Sequence, residues 1–130
     1  MTNMTNMTNA WQAIRQLVGL LDDHSDLPHD QRILFQLLKI QEEAGEVAEA
    51  AIGAAGQNPR KGYSHTWQDV EAEVCDVIVT GMVALMRLNA DGEAVFARHV
   101  QRIIDRDLTP ADTQQPELPL PQGPSAPESV

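Results

Sequence analysis

Lys39-Ile40-Gln41-Glu42-Glu43-Ala44-Gly45-Glu46-Val47-Ala48-Glu49-Ala50-Ala51 is the stretch on which the fold turns. It reads as helix and sets Glu43 and Glu46 three residues apart. At that spacing two side chains are neighbours on a helix surface, with Cβ atoms about 5–6 Å apart. Two carboxylates held so close repel unless a positive charge lies between them. Glu73 and Asp76 repeat the spacing in a second helical stretch, Glu71 to Leu88. Two such pairs on two helices can together form a cage of oxygen ligands.

Working outward, the helix that carries the first pair is expected from about Asp30 to Ala55, a rod of nearly 40 Å at about 1.5 Å per residue. Ile33, Leu34, Leu37, Ile40, Ala44, Val47, Ala48, Ala51 and Ile52 form a broad apolar arc. Lys39, Glu43 and Glu46 fall on the other side with Arg32 and Gln36, which in isolation is what a solvated face looks like. The connector from Gly53 to Thr66 follows. Gly56 suits a helix C-terminus and Pro59 prevents continuation. It is not a phosphate-binding P-loop, since a Gly-Lys-Ser/Thr ending and a preceding strand are both missing. It nevertheless sets two cations, Arg60 and Lys61, between glycines.

Thr66 is the expected N-cap of the next helix, with Asp69 three residues on. From Val74 to Met86 the only ionisable side chains are Cys75 and Asp76. Asp69, Glu73, Asp76, Thr80 and Arg87 make one narrow seam, and apolar side chains cover most of the rest. A helix apolar almost all round is buried, so the seam is expected to face protein. Buried carboxylates there need a compensating charge.

A first helix is expected from Ala10 to about Leu21, with Trp11, Ile14, Leu17, Val18 and Leu21 at helical spacing. The loop to Pro28 holds His24, and His29 follows; both read as polar loop residues, because no Cys or further His stands at zinc spacing. A fourth helix is expected from about Asp91 to Arg106. Its arginine row, Arg98, Arg102 and Arg106, admits two readings, a solvated face or anion contact at the bundle rim. With no strand signal, the fold class is all-α, and short connections favour antiparallel neighbours in a four-helix arrangement.

At 130 residues the chain has room for one domain. Residues 1–9 are three copies of Met-Thr-Asn, uncharged and without the apolar core of a signal peptide. They are expected to be disordered, and their methionines leave alternative translation starts open. Residues 10–107 form the helical domain. Residues 108–130 contain six of the eight prolines and no Lys or Arg, which reads as a disordered tail. No apolar run approaches the roughly 20 residues of a membrane span. Cys75 is the only cysteine, so a reducing cytoplasm is the expected setting. The formal charge of −10 argues against a nucleic-acid surface, and an acidic protein that handles an anionic ligand needs cations to bridge the repulsion.

Four carboxylates without His or Cys select a hard cation, Mg²⁺ first and Mn²⁺ second. A di-iron bundle uses Glu-x-x-His on two helices. Here the i+3 partners are Glu46 and Asp76, which disfavours iron. Mg²⁺ keeps several waters and serves substrate phosphates, so the chemistry indicated is phosphoanhydride hydrolysis.

Glu43-x-x-Glu46 followed by Glu73-x-x-Asp76 on consecutive helices resembles the MazG-like nucleoside triphosphate pyrophosphohydrolases, of the all-α NTP pyrophosphatase superfamily. Lys39-Ile-Gln-Glu-Glu-Ala-Gly-Glu-Val-Ala-Glu-Ala and Glu73-Val-Cys-Asp-Val-Ile-Val-Thr are similar to that family's local words, as is the connector Gly56-Gln-Asn-Pro-Arg-Lys-Gly. The resemblance covers about residues 30–106. It implies a MazG-like four-helix bundle completed by oligomerisation, a homodimer or homotetramer with sites near subunit contacts, where Gly81 permits close helix approach. It also implies cleavage of a nucleotide between the α and β phosphates to a monophosphate and pyrophosphate, in nucleotide-pool sanitation. Carried onto this chain, Glu43, Glu46, Glu73 and Asp76 hold Mg²⁺, and Glu42 accepts a proton from the attacking water or orients a ligand. Lys39, Asn58, Arg60 and Lys61 are the expected phosphate contacts; for Lys39 the competing role is an i,i+4 pair with Glu43. Phe35, Tyr63 and Trp67 are the candidates to stack a base. The fourth helix has no clear match to the phosphate contacts of some relatives. The alternative is a non-catalytic helical oligomer that binds a nucleotide or alarmone.

Overall fold

The structure, a computed structural model, describes residues 7–108. The expectations for residues 1–6 and for the tail from residue 109 lie outside them. Four helices follow in order: α1 (Met7–Asp23), α2 (His29–Ala54), α3 (Trp67–Leu88) and α4 (Gly92–Asp107). The all-α expectation holds among the described residues, with helix limits within about three residues of those read from the sequence. The difference at α1 is that its helix takes in Met7–Asn9, the third Met-Thr-Asn copy.

Local chemistry explains the boundaries. At the α2 terminus, Gln57 N–H donates to Ile52 C=O (3.0 Å) and Gly56 N–H to Gly53 C=O (3.3 Å). Gly56 is left-handed at φ +67°, so the end is a Schellman motif with glycine where a side chain would be strained. In the connector, Asn58 Oδ1 accepts from Arg60 N–H (3.0 Å) and Lys61 N–H (3.1 Å). Thr66 and Asp69 then form a reciprocal capping box: Thr66 N–H donates to Asp69 Oδ2 (2.8 Å) and Asp69 N–H to Thr66 Oγ1 (3.2 Å). Those bonds hold the Asp69 carboxyl below its usual range, so Asp69 serves the cap and not the acid seam.

α3 is the hub, packing against α1, α2 and α4. It runs antiparallel to α2, with Gln36 Nε2 donating to Thr80 C=O across the interface at 3.2 Å. α4 approaches closely because Gly92 has no side chain; a Cβ there would stand 3.0 Å from the Leu85 carbonyl carbon. Trp11 and Phe96 join α1 to α4 with ring centroids 5.9 Å apart. The core is small: Trp11, Ile14, Ala50, Ala54, Val83 and Ala84 are its buried apolar residues.

Two expectations about faces are corrected. The apolar arc of α2 is packed only in part: Ile33, Ile40, Val47 and Ala51 are half-buried, while Leu34, Leu37 and Ile52 stand exposed. The packed edge also takes in Gln36 and Glu43, with Gln36 bonded to Thr80 of α3 and Arg32 paired with Asp22 of α1. α3 turns its seam to protein as expected at Thr80, which is buried, and at Glu73, which is half-buried, but Asp69 and Asp76 are exposed. Its apolar remainder is open at Trp67, Val74, Ile78 and Leu88. Gly81 meets nothing within 4 Å in this chain, so the close approach expected there is not made by its own helices.

Candidate functional site

The α2–α3 register decides which acids meet. Glu43 comes from the middle of α2, and Glu73 and Asp76 from the second and third turns of α3, placed there by the capping box. One carboxylate oxygen from each of these three lies within 4.8 Å of the others. Glu43 and Glu73 are half-buried and Asp76 is exposed. Glu73 Oε2 is buried without a hydrogen-bond partner, an arrangement that costs free energy for a charged oxygen.

Glu46, the fourth expected ligand, stands just outside the triad. A shared hydrogen bond and the charge of Glu43, with the charge of Glu73 behind it, hold its carboxyl above the usual range. That is the response of a carboxyl crowded by like charges. The donor set is all oxygen, and it includes Glu73, one of whose oxygens is buried without a partner. It fits a hard divalent ion.

Lys39 Nζ bridges Glu42 Oε2 (3.2 Å) and Glu43 Oε1 (3.4 Å), and these two carboxylates raise its pKa. The i,i+4 pair weighed from sequence is therefore present, and Glu42 is placed one side chain away from the triad. The connector residues lie farther along α2. Lys61 Nζ pairs with Glu49 Oε1 at 3.7 Å, Asn58 Oδ1 is committed to the turn, and Arg60 is exposed. None of the hydrogen bonds or ion pairs of these three reaches the triad. Tyr63 and Trp67 are open to solvent, 82% and 60% exposed.

On the other side of Lys39 a cleft of about 700 Å³ opens between α1, α2 and α3. Leu21, Phe35, Leu38 and Val83 wall it, and Arg32, Gln36, Lys39 and Arg87 supply its polar edge. At its far end Asp22 Oδ1 accepts from Arg87 (2.6 Å) and is paired with Arg32 (3.1 Å). Burial works to raise the Asp22 pKa, but the two guanidiniums outweigh it and hold the carboxyl below its ordinary value. Sequence reasoning placed Arg87 in the α3 seam and Arg32 beside Gln36, and did not join them. The available signal was that Arg87 is the only cation of an otherwise apolar-to-acidic helix.

The remaining candidates form no comparable site. His24 Nδ1 bonds Leu20 C=O at 2.8 Å, consistent with a loop residue. In the arginine row, Arg102 meets His99 (3.2 Å), Arg106 pairs with Asp107, and Arg98 shares a shallow exposed hollow with Gln101 and Arg102. Among the described residues no helix is long and apolar enough to cross a membrane. Comparison with protein-family models, curated proteins and solved structures returns no match.

Proposed function

We propose that this chain is a Mg²⁺-dependent nucleotide pyrophosphohydrolase of the MazG-like kind, converting a nucleoside triphosphate and water to a monophosphate and pyrophosphate. The observation that carries the reading is the convergence of Glu43, Glu73 and Asp76, with Glu73 Oε2 buried and without a partner. These three, with Glu46 beside them, would hold Mg²⁺, or Mn²⁺ in its place. When bound, the ion neutralises phosphate charge and lowers the pKa of coordinated water. Glu42 accepts the proton as water attacks the α-phosphorus and the bond to the β-phosphate oxygen breaks. Lys39 stands between Glu42 and Glu43, where its charge meets the α-phosphate. Arg60 and Lys61, fixed by the Asn58 turn, serve the outer phosphates. In this reading the protein works in the cytoplasm, on the nucleotide pool. The test is incubation with a panel of NTPs and dNTPs with and without Mg²⁺, assaying pyrophosphate, with Asp76→Ala as control. Pyrophosphate release by the wild type alone, and with Mg²⁺ alone, is the expected result. Ligand-induced thermal stabilisation without product would mark a binding module instead.

The same reading includes a homodimer or homotetramer. Leu34, Leu38, Ile52, Val74 and Ile78 are each more than 40% exposed on the α2–α3 pair, and exposed apolar side chains that form a contiguous patch mark an interaction surface. A second α2–α3 pair laid on this face would complete a four-helix bundle. Light scattering is expected to give two or four times the 14.3 kDa chain mass, and Ile78→Glu to return the monomer. A wild-type protein of single-chain mass would contradict this.

A further inference from the structure

We infer that the α1–α2–α3 cleft is the base subsite of the proposed nucleotide site, and that Arg32 and Arg87 select bases with carbonyl oxygen at their edge: guanine, uracil and thymine. The inference rests on the pyrophosphohydrolase reading only for what occupies the acid triad.

The geometry supplies the path. Lys39 and Glu42 line the cleft, and Lys39 also pairs with Glu43 of the triad, so Lys39 stands at the border of the two. Arg32 and Glu43 are eleven residues apart on α2, which is about 16 Å along the helix axis. A nucleotide with its phosphates at the triad therefore lies along the α2–α3 seam with its base toward Arg32 and Arg87. The walls there are apolar, and Phe35 offers a ring to a base face. A phosphate gains nothing from such walls, whereas a base does.

The far end is rich in donors. Among the described residues, two guanidiniums share the single carboxylate of Asp22, which leaves one positive charge uncompensated there. The Arg87 side chain is 6% exposed and that of Arg32 is 22% exposed. The Nε atoms of both are buried and without hydrogen-bond partners. Arginine has only donors, so the missing partner must accept. Guanine offers O6 and N7, and uracil and thymine offer O4, whereas adenine and cytosine present an amino donor at the equivalent edge. A donor facing donors leaves buried polar groups unpaired, which is the strongest basis for rejecting a ligand.

The test is calorimetric binding of GMP, UMP, AMP and CMP to the full chain in Mg²⁺, repeated with Arg32→Met. That side chain keeps apolar length, and Arg32 is the more exposed of the pair. GMP and UMP are expected to bind at least about fivefold more tightly than AMP and CMP, the lower end of discrimination by a good arginine–base contact. Arg32→Met should remove that advantage by weakening GMP and UMP alone, with unchanged helical circular dichroism. Arg87→Lys, which keeps the charge against Asp22, should narrow the preference as well. Equal affinity for all four, or no binding by any, overturns the assignment. Should the binding order hold while no triphosphate is cleaved, the base subsite stands and the hydrolase reading falls. Cleavage of all triphosphates at equal kcat/KM leaves the hydrolase reading intact and removes the base subsite.

Discussion

Glu73→Gln is expected to raise the metal-free melting temperature and, in the same protein, to abolish Mg²⁺-dependent pyrophosphate release. Glu73 sits between Glu43 and Asp76 with ligand oxygens within 4.8 Å, and its Oε2 is buried without a partner. Removing its charge relieves like-charge repulsion in a partly desolvated place. It also removes a ligand oxygen from the proposed ion. If the ion supplies several kcal/mol of transition-state charge stabilisation, turnover should fall by about a thousandfold or more. The pH dependence follows from Glu46, whose carboxyl is held above its usual range by Glu43 and then Glu73. A raised carboxyl pKa means that the folded, metal-free protein binds the proton more tightly than the unfolded chain. Its stability therefore declines as pH rises from the ordinary glutamate range through the folded value. Stabilisation by Mg²⁺ should be largest at neutral pH, where the carboxylates are ionised, and disappear as they protonate. Thermal melts at pH 4 and pH 7, with and without Mg²⁺, check both signs.

Asp22→Ala carries the second large effect, on stability. Asp22 ties α1 to α2 and α3 through Arg32 and Arg87, and its loss would leave the nearly buried Arg87 guanidinium unpaired. Breaking a fully buried ion pair costs about 3–5 kcal/mol. The Asp22 side chain is 37% exposed, so a smaller loss of about 2 kcal/mol is expected after discounting for solvent screening. For a domain of this size that lowers Tm by on the order of 10 °C. Asp22 has a depressed folded pKa, so its contribution is complete above the unfolded aspartate pKa of about 3.9. It is lost as pH falls through the folded value. The gap between wild type and Asp22→Ala should therefore close in strong acid, by circular dichroism melts across pH 2–7.

Much of the helix layout could be read from the chain because it is written in local chemistry. Thr66 and Asp69 fix the start of α3, Gly56 ends α2, and Pro28 precedes it, each through bonds within a few residues. The acid pairs were readable for the same reason, since i,i+3 spacing fixes their neighbourhood on each helix. Which acids meet across helices was not, because that depends on the α2–α3 register. The register brings Glu43 to Glu73 and Asp76, and leaves Glu46 touching the triad through Glu43. The facing of α2 was legible only in part, because periodicity finds the apolar arc without saying what covers it. Within one chain, Ile40 and Val47 are half-buried beside Gln36 and Glu43, whereas Leu34, Leu37 and Ile52 are exposed. Asp22, Arg32 and Arg87 come from three helices, so no sequence spacing joins them.

The most direct test of the central claim is a phosphorus NMR time course of the full chain with GTP and Mg²⁺. The account predicts that the triphosphate resonances give way to those of GMP and pyrophosphate, and that chelating the metal stops the change. Unchanged GTP, or conversion to GDP and inorganic phosphate, would contradict it.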